Sequence, residues 1–144
     1  MTVRLQGRRG LPRVDRRRLR TRAAQLLREL GEARSELSIA LVDDDAIREL
    51  NERYRGIAKP TDVLSFSLVE GEHADARGAL LGDVVVSLDT ASAQARRARR
   101  SLDDEVLRLL IHGTLHLLGH DHERDDEARR MRAEERRLWR AMTR

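Results

Sequence analysis

The chain has 144 residues, no cysteine and a formal net charge of +4 from 29 basic and 25 acidic residues. This length predicts one domain over residues 1–144, and the 40% of hydrophobic residues suffices for a core beneath a charged surface. The lack of cysteine excludes disulfides, iron–sulfur clusters and thiolate zinc sites, leaving His, Asp and Glu as strong metal ligands. Because no apolar run is long enough for a signal peptide or membrane span, we expect a cytoplasmic protein with no membrane partner.

The arginines cluster within residues 16–22, within residues 96–100 and beyond residue 129. Such clusters favour a polyanionic partner such as RNA. The alternative is that they are solvated helix faces, because acidic residues are interleaved with them. With one Trp, one Tyr and one Phe, a platform that stacks several bases is not expected, so RNA contacts would be mostly to phosphate.

Hydrophobic periodicity and capping residues predict nine elements in chain order. The strands are predicted at residues 3–6, 36–42, 62–68 and 80–88. The helices are predicted at residues 15–31, from a cap within 43–45 through Ile47 and Leu50, from Asp89 or Thr90 to about 100, at 104–118 and at 123–142. Residues 51–61 are predicted as a polar connection and residues 70–78 as a loop. The fold class is therefore α/β of the α+β kind, with a mostly parallel or mixed four-stranded sheet and about five helices.

The helix predicted at residues 104–118 is apolar on nearly every side, which is typical of a buried central helix. Its polar exceptions include His112 and His116, whose spacing of four places both imidazoles on one face, one turn apart. Gly119 can take the left-handed conformation that ends a helix and turns the chain, so that His122 returns toward the same point. Three nitrogen ligands with an open fourth position are typical of catalytic zinc, whose bound water becomes acidic near neutral pH. The sequence thus predicts one Zn²⁺ ion held by these three histidines.

The same spacing matches the metzincin peptidase signature H-E-x-x-H-x-x-G-x-x-H at the three histidines and at Gly119. Gly113 stands where that signature has its general-base glutamate. Because the proton acceptor is missing, a metallopeptidase is the less favoured interpretation of a metzincin-like metal site.

The run from His112 to His122, HGTLHLLGHDH, closely resembles the signature of the YbeY family of bacterial metal-dependent endoribonucleases. Two further blocks resemble that family: one comprises Asn51, residues 54–56 and the run PTDVLSF at 60–66, and the other is LGD at 81–83. The resemblance implies that His112, His116 and His122 hold the zinc and that Arg55 is the functionally important basic residue. His120 departs from the pattern, because the family usually has tyrosine there; we expect a surface turn residue, with weak competition as a ligand as the alternative.

The resemblance also implies a function, namely single-strand-specific cleavage of RNA in ribosomal RNA maturation at the 16S 3′ end and in ribosome quality control. Ribosomal RNA, the ribosomal subunit and ribosomal or assembly proteins would be the partners. Arg55 is the candidate catalytic residue, because a guanidinium can neutralise charge that grows on the phosphate oxygens in the transition state. The alternative is a non-catalytic ribosome-assembly factor in which the metal staples the central helix to the turn at Gly119.

Overall fold

The computed structural model describes residues 2–67 and 80–143, and the predicted loop at 70–78 and the end of the predicted third strand at 68 lie outside them. Within the described residues the elements are β1 (Thr2–Gly7), α1 (Arg16–Glu29), β2 (Glu36–Val42), α2 (Asp44–Arg55), β3 (Val63–Ser67), β4 (Leu80–Ser87), α3 (Leu88–Ala98), α4 (Leu102–Leu117) and α5 (Asp125–Met142). The predicted α+β class, with a four-stranded mixed sheet and five helices, is confirmed.

The four strands form one sheet in the order β1-β2-β4-β3. The pairs β1–β2 and β2–β4 are parallel, whereas β3 runs antiparallel to β4 with Ser65 opposite Val84 and Phe66 opposite Asp83. β3 therefore lies at one edge of the sheet. A segment that passes over this edge can contact residues on both faces of the sheet.

Several helix boundaries differ from the prediction by a few residues, and two of the differences have a cause in buried side chains. α2 continues through Arg55, although the sequence predicted a polar connection from residue 51, because Asn51 is buried and Gly56 ends the helix in a left-handed conformation. α3 is capped by the hydroxyl of Ser87, which accepts from the Thr90 amide, and not by Asp89 or Thr90. In both cases the boundary is set by a polar side chain that is buried in the fold, Asn51 or Ser87, and the local sequence does not reveal that burial.

The alternation of side chains along β4 divides the core between the two faces of the sheet. Val84 and Val86 belong to the large cluster that α1, α3, α4 and α5 build on one face. Val85 faces the opposite side, where it packs with Ile47 of α2 and Leu64 of β3. The thick face buries α4 almost completely, so a polar residue of α4 needs a specific partner.

α4 packs closely against β3 and β4 at Gly113. A Cβ atom there would lie 2.9 Å from both Ser65 Oγ and Val84 Cγ1, which is closer than ordinary packing. The Ser65 hydroxyl donates to the Gly113 carbonyl at 2.8 Å, and the Ser67 hydroxyl donates to the Leu117 carbonyl at 3.3 Å. β3 therefore fixes the height and rotation of the second half of α4.

Gly82 allows β4 to approach β3. Its φ of 153° is one that side chains rarely adopt, and a Cβ atom would overlap the carbonyl oxygen of Phe66. Within the described residues, no helix is both long enough and apolar enough to cross a bilayer.

Candidate metal centre

His112 and His116 lie one above the other on α4, as the spacing predicts. Their Nε2 atoms are 3.2 Å apart and their ring centroids 4.7 Å apart. Two nitrogens bound tetrahedrally to one zinc ion at 2.0–2.1 Å would lie roughly 3.3 Å apart. The separation of the two nitrogens therefore suits a shared ion without rearrangement of the helix.

The outward side of each ring has a hydrogen-bond partner of its own. His112 Nδ1 lies 3.5 Å from Glu135 Oε1 of α5. The hydrogen bond from His112 lowers the pKa of Glu135, so this carboxyl stays ionised. His116 makes a hydrogen bond to the backbone of His120 that acts to raise its pKa, which is the sign of a ring N–H donating to a carbonyl. Outward donation from both rings favours tautomers in which the two Nε2 atoms present lone pairs to each other.

The electrostatics of His116 also suit a metal ligand. Burial, followed by the neighbouring His112 and His122 rings, lowers the pKa of His116 below its ordinary value. A lowered pKa means that the ring is neutral near pH 7, and only a neutral imidazole can donate a lone pair to a metal.

A glycine turn brings His122 back toward α4. Gly119 has a φ of 92°, its amide donates to the His116 carbonyl, and the amide of His120 donates to the Leu115 carbonyl at 3.0 Å. These two bonds define a Schellman motif, so the predicted left-handed end of the helix is confirmed. The His122 ring centroid then lies 5.4 Å from that of His116 and 6.3 Å from that of His112.

Asp121 joins this cluster. One oxygen of its carboxylate and one ring nitrogen each of His116 and His122 all lie within 4.8 Å of one another, an arrangement that could hold a metal ion. Asp121 Oδ1 also accepts a hydrogen bond from the His122 amide at 2.7 Å, which tightens the turn. An aspartate in a turn is commonly a backbone cap, and here the same side chain both caps the turn and lies beside the two histidines.

A second polar network, centred on Glu105, lies about two turns earlier on α4. Glu105 is 1% exposed, and its oxygens lie 2.5 Å from Arg100 Nη1 and 2.5 Å from Arg108 Nη2. Arg108 reaches Gln94, whose amide donates to Asp62 Oδ2 at 3.3 Å. Asp62 thus anchors the start of β3 to α3 and, through Gln94 and Arg108, to α4.

Arg55 is exposed at the last residue of α2. Its neighbour Tyr54 packs edge-on against Phe66 of β3, with ring centroids 5.0 Å apart. Phe66 lies between Ser65 and Ser67, which hold α4 from the other face of the sheet. Arg55 and the histidines therefore lie on opposite faces near the same edge strand, and no described contact joins them.

Asn51 sets the position of the segment after Arg55. Its side-chain amide donates to the Lys59 carbonyl at 2.8 Å, and its backbone carbonyl accepts from the Ile57 amide at 3.3 Å. These bonds hold residues 56–60 against the end of α2. They give Asn51 a structural role beside Arg55 in the sequence block that resembles the family.

Glu135 is the site residue that the sequence did not indicate. It lies on a different helix, 23 residues after His112, among several charged residues of similar spacing in α5. Its role depends on how α5 packs against α4, and no local pattern encodes that packing. The hydrogen bond from Arg137 is the main cause that lowers the pKa of the neighbouring Glu134, and the charge of His120 contributes least.

Together the fold and the site define a class: α+β proteins with one mixed sheet, in which a buried helix and the turn after it present histidines that could bind a metal ion. Comparisons with known proteins agree with this class. The family model described as Endoribonuclease YbeY matches residues 8–143.

Two similar proteins are also named Endoribonuclease YbeY. The one from an Anaeromyxobacter species is 54% identical over 98% of this chain and 72% of its own length. The one from Geobacter sulfurreducens is 42% identical over 96% of this chain and 94% of its own. A solution structure from Thermotoga maritima superposes with a TM-score of 0.62 at 29% identity, over 95% of this chain and 86% of that one. The chain belongs to the Endoribonuclease YbeY family.

Proposed function

We propose that this protein is a zinc-dependent endoribonuclease that cleaves single-stranded ribosomal RNA, at the 3′ end of 16S RNA, in ribosome maturation and quality control. The observation that carries the proposal is the pair of Nε2 atoms 3.2 Å apart on α4, with His122 and Asp121 beside them. Family membership supplies the class of substrate.

His112, His116 and His122 are the proposed zinc ligands. When bound, the ion supplies Lewis-acid chemistry, by polarising a phosphate oxygen of the RNA. Glu135 orients His112 through Nδ1, and the His120 backbone orients His116, so both Nε2 atoms would be available to hold the ion. Lowering of the His116 pKa by burial keeps that ring neutral and available at physiological pH.

Arg55 is the proposed catalytic cation. An RNA strand that crosses the edge strand β3 would contact the histidines on one face of the sheet and the end of α2 on the other. The family resemblance assigns this role to Arg55, and on a strand that folds round β3 its exposed guanidinium would offset the negative charge that grows on the phosphate in the transition state. Asn51 supports this role by holding the segment that follows Arg55.

The packing of Gly113 argues against a peptidase. A glutamate at this position would serve as general base in the metzincin arrangement. Its Cβ would lie 2.9 Å from Ser65 Oγ and from Val84 Cγ1, so the side chain has no room between α4 and the sheet. A metal staple is also unnecessary at Gly119, because the Schellman hydrogen bonds already close the end of α4.

The test uses purified full-length chain loaded with zinc and incubated with labelled single-stranded RNA carrying a 16S 3′-end sequence. His116→Ala and Arg55→Ala are assayed beside it, with Arg53→Ala as the control for an exposed arginine of the same helix. The expected result is cleavage by the parent and by Arg53→Ala, with cleavage lost in the other two variants. Equal cleavage by the parent and His116→Ala would reveal a contaminating nuclease and contradict the proposal.

A further inference from the structure

A cavity of about 310 Å³ opens between α4 and α5, next to the metal centre. Its walls contain the four arginines Arg100, Arg108, Arg136 and Arg140, together with Trp139. Glu135 forms the wall that the cavity shares with His112. This volume lies at the lower end of the range for small-molecule sites, which suits a single nucleotide.

The charge of the cavity is positive on the α5 side. Arg100 and Arg108 both pair with the buried Glu105, whose single negative charge offsets one of their two positive charges. Arg136 and Arg140 are exposed, lie four residues apart on one face of α5, and pair with no carboxylate among the described residues. Two unpaired guanidiniums one helical turn apart can bind phosphate oxygens.

Trp139 lies between these two arginines in sequence and lines the same cavity. It is the one tryptophan of the chain and is partly exposed, and the guanidinium of Arg100 lies 5.5 Å from its ring centroid. An indole held by an arginine on one side, beside free guanidiniums, offers a base a surface for stacking and its phosphate a counter-charge.

The cavity lies close to the histidines. Arg108 and His112 are four residues apart on α4, a rise of about 6 Å along the helix axis. A nucleotide seated on Trp139 therefore lies next to a phosphate placed at the metal centre.

Another arginine-lined groove differs from this cavity in two respects. The groove between β1 and α1 is lined by Arg16, Arg17, Arg20 and Arg28, but no aromatic side chain lines it. It also lies beside β1, at the edge of the sheet away from β3. It lacks both the stacking surface and the proximity to the histidines.

We infer that the cavity formed by Trp139, Arg136 and Arg140 is a subsite for one nucleotide of single-stranded RNA, adjacent to the phosphate at the metal centre. The inference rests on the proposed function for the identity of the ligand. Stacking on Trp139 would hold the base, and the two exposed arginines would hold its phosphates.

Trp139 itself provides the readout. A short single-stranded 2′-O-methyl RNA is titrated into the full-length chain, and tryptophan fluorescence is followed; a gel confirms that the RNA stays intact. The expected result is a saturable change in fluorescence that tracks the binding of labelled RNA. Binding of RNA with no change in fluorescence, or no binding of RNA, would overturn the inference.

Two double variants are compared, and both change the net charge by the same amount. The test variant carries Arg136→Glu and Arg140→Glu in the cavity. The control variant carries Arg17→Glu and Arg20→Glu in the groove between β1 and α1. The test variant is expected to weaken binding of labelled RNA about tenfold and to lower the slope of log K against log salt by about 1.4, as expected for two lost contacts to phosphate. The control variant is expected to weaken binding by less than about twofold. Equal weakening by both variants would show unlocalised attraction and overturn the subsite.

Binding and cleavage fail separately in this design. If the fluorescence changes but RNA is never cleaved, the subsite is supported and the nuclease proposal is refuted. If RNA is cleaved without a fluorescence change, the nuclease proposal is supported and the subsite is refuted.

Discussion

The two halves of α4 differ in how their polar side chains are paired. In the first half Glu105 is 1% exposed, and both of its oxygens are satisfied by Arg100 and Arg108 within the protein. In the second half His112 and His116 present Nε2 atoms to each other at 3.2 Å, with their other hydrogen bonds directed outward. A satisfied buried network stabilises a fold, whereas two imidazole nitrogens at this separation could share a cation. The first half therefore serves the fold, and we propose that the second half serves to bind a metal.

The largest expected effect is on metal affinity in the second half. His116→Ala removes a ring that lies next to His112 and that also belongs to the group with Asp121 and His122. Zinc affinity should therefore fall at least about a thousandfold. Isothermal titration with zinc at pH 7 measures this. His120→Ala is the matched control, because it removes a histidine of the same turn that is not a proposed ligand, and it should keep zinc affinity within about threefold. Retention of zinc by His116→Ala would remove that residue from the ligand set.

The next effect is on stability in the first half. Glu105→Gln keeps the shape of the side chain but removes the charge that Arg100 and Arg108 share, so the free energy of unfolding should fall by about 2 kcal/mol. Urea denaturation measures the fall, and titration of the variant should show parental zinc affinity. A change in zinc affinity with stability unaltered would reverse the assignment of the two halves.

A smaller effect is expected at the carboxylate that orients His112. Glu135→Gln weakens the hydrogen bond to Nδ1, so zinc affinity should fall about tenfold, as for other partners of metal-binding histidines. Glu134→Gln makes the same change of charge one residue away, on a side chain that pairs with Arg137. Equal loss in both variants would mean that only the net charge near the site matters.

The smallest effect is a dependence of stability on pH. Burial acts to raise the pKa of Glu105, but hydrogen bonds and charges from Arg108 and Arg100 outweigh it, so the folded pKa lies below 4.5. The stabilisation is therefore complete above pH 4.5 and is lost as the pH falls through the folded pKa. The difference in unfolding free energy between the parent and Glu105→Gln should be constant from pH 7 to pH 5 and shrink below that. A difference that grows as the pH falls would contradict the assigned direction.

Sequence predicted the parts of this site that local geometry decides. The spacing of His112 and His116 and the left-handed turn at Gly119 follow from helix periodicity and from the freedom of glycine. Arg55 and the histidines were linked by resemblance, and their placement on opposite faces near β3 became visible only once the sheet order was known.

The remaining features depend on packing between distant elements. Glu135 reaches His112 because α5 lies along α4, and polar periodicity does not distinguish it from Glu134. The extension of α2 through Arg55 depends on burial of Asn51. A glycine is needed at position 113 because Ser65 of β3 and Val84 of β4 pack against it.

Unfolding of the double variant His112→Ala with His116→Ala, with and without zinc, tests most directly whether the second half of α4 is arranged for a metal. With a chelator present, its stability should lie within about 1 kcal/mol of the parent, because both rings are only half-buried and the high helix propensity of alanine offsets the loss of their hydrogen bonds to Glu135 and to the His120 backbone. Free zinc at a hundred times the parental Kd should add about 2.7 kcal/mol to the parent and nothing to the variant. A loss of about 3 kcal/mol in the variant without zinc would show that the histidines serve the fold. Equal stabilisation of both proteins by zinc would place the metal elsewhere.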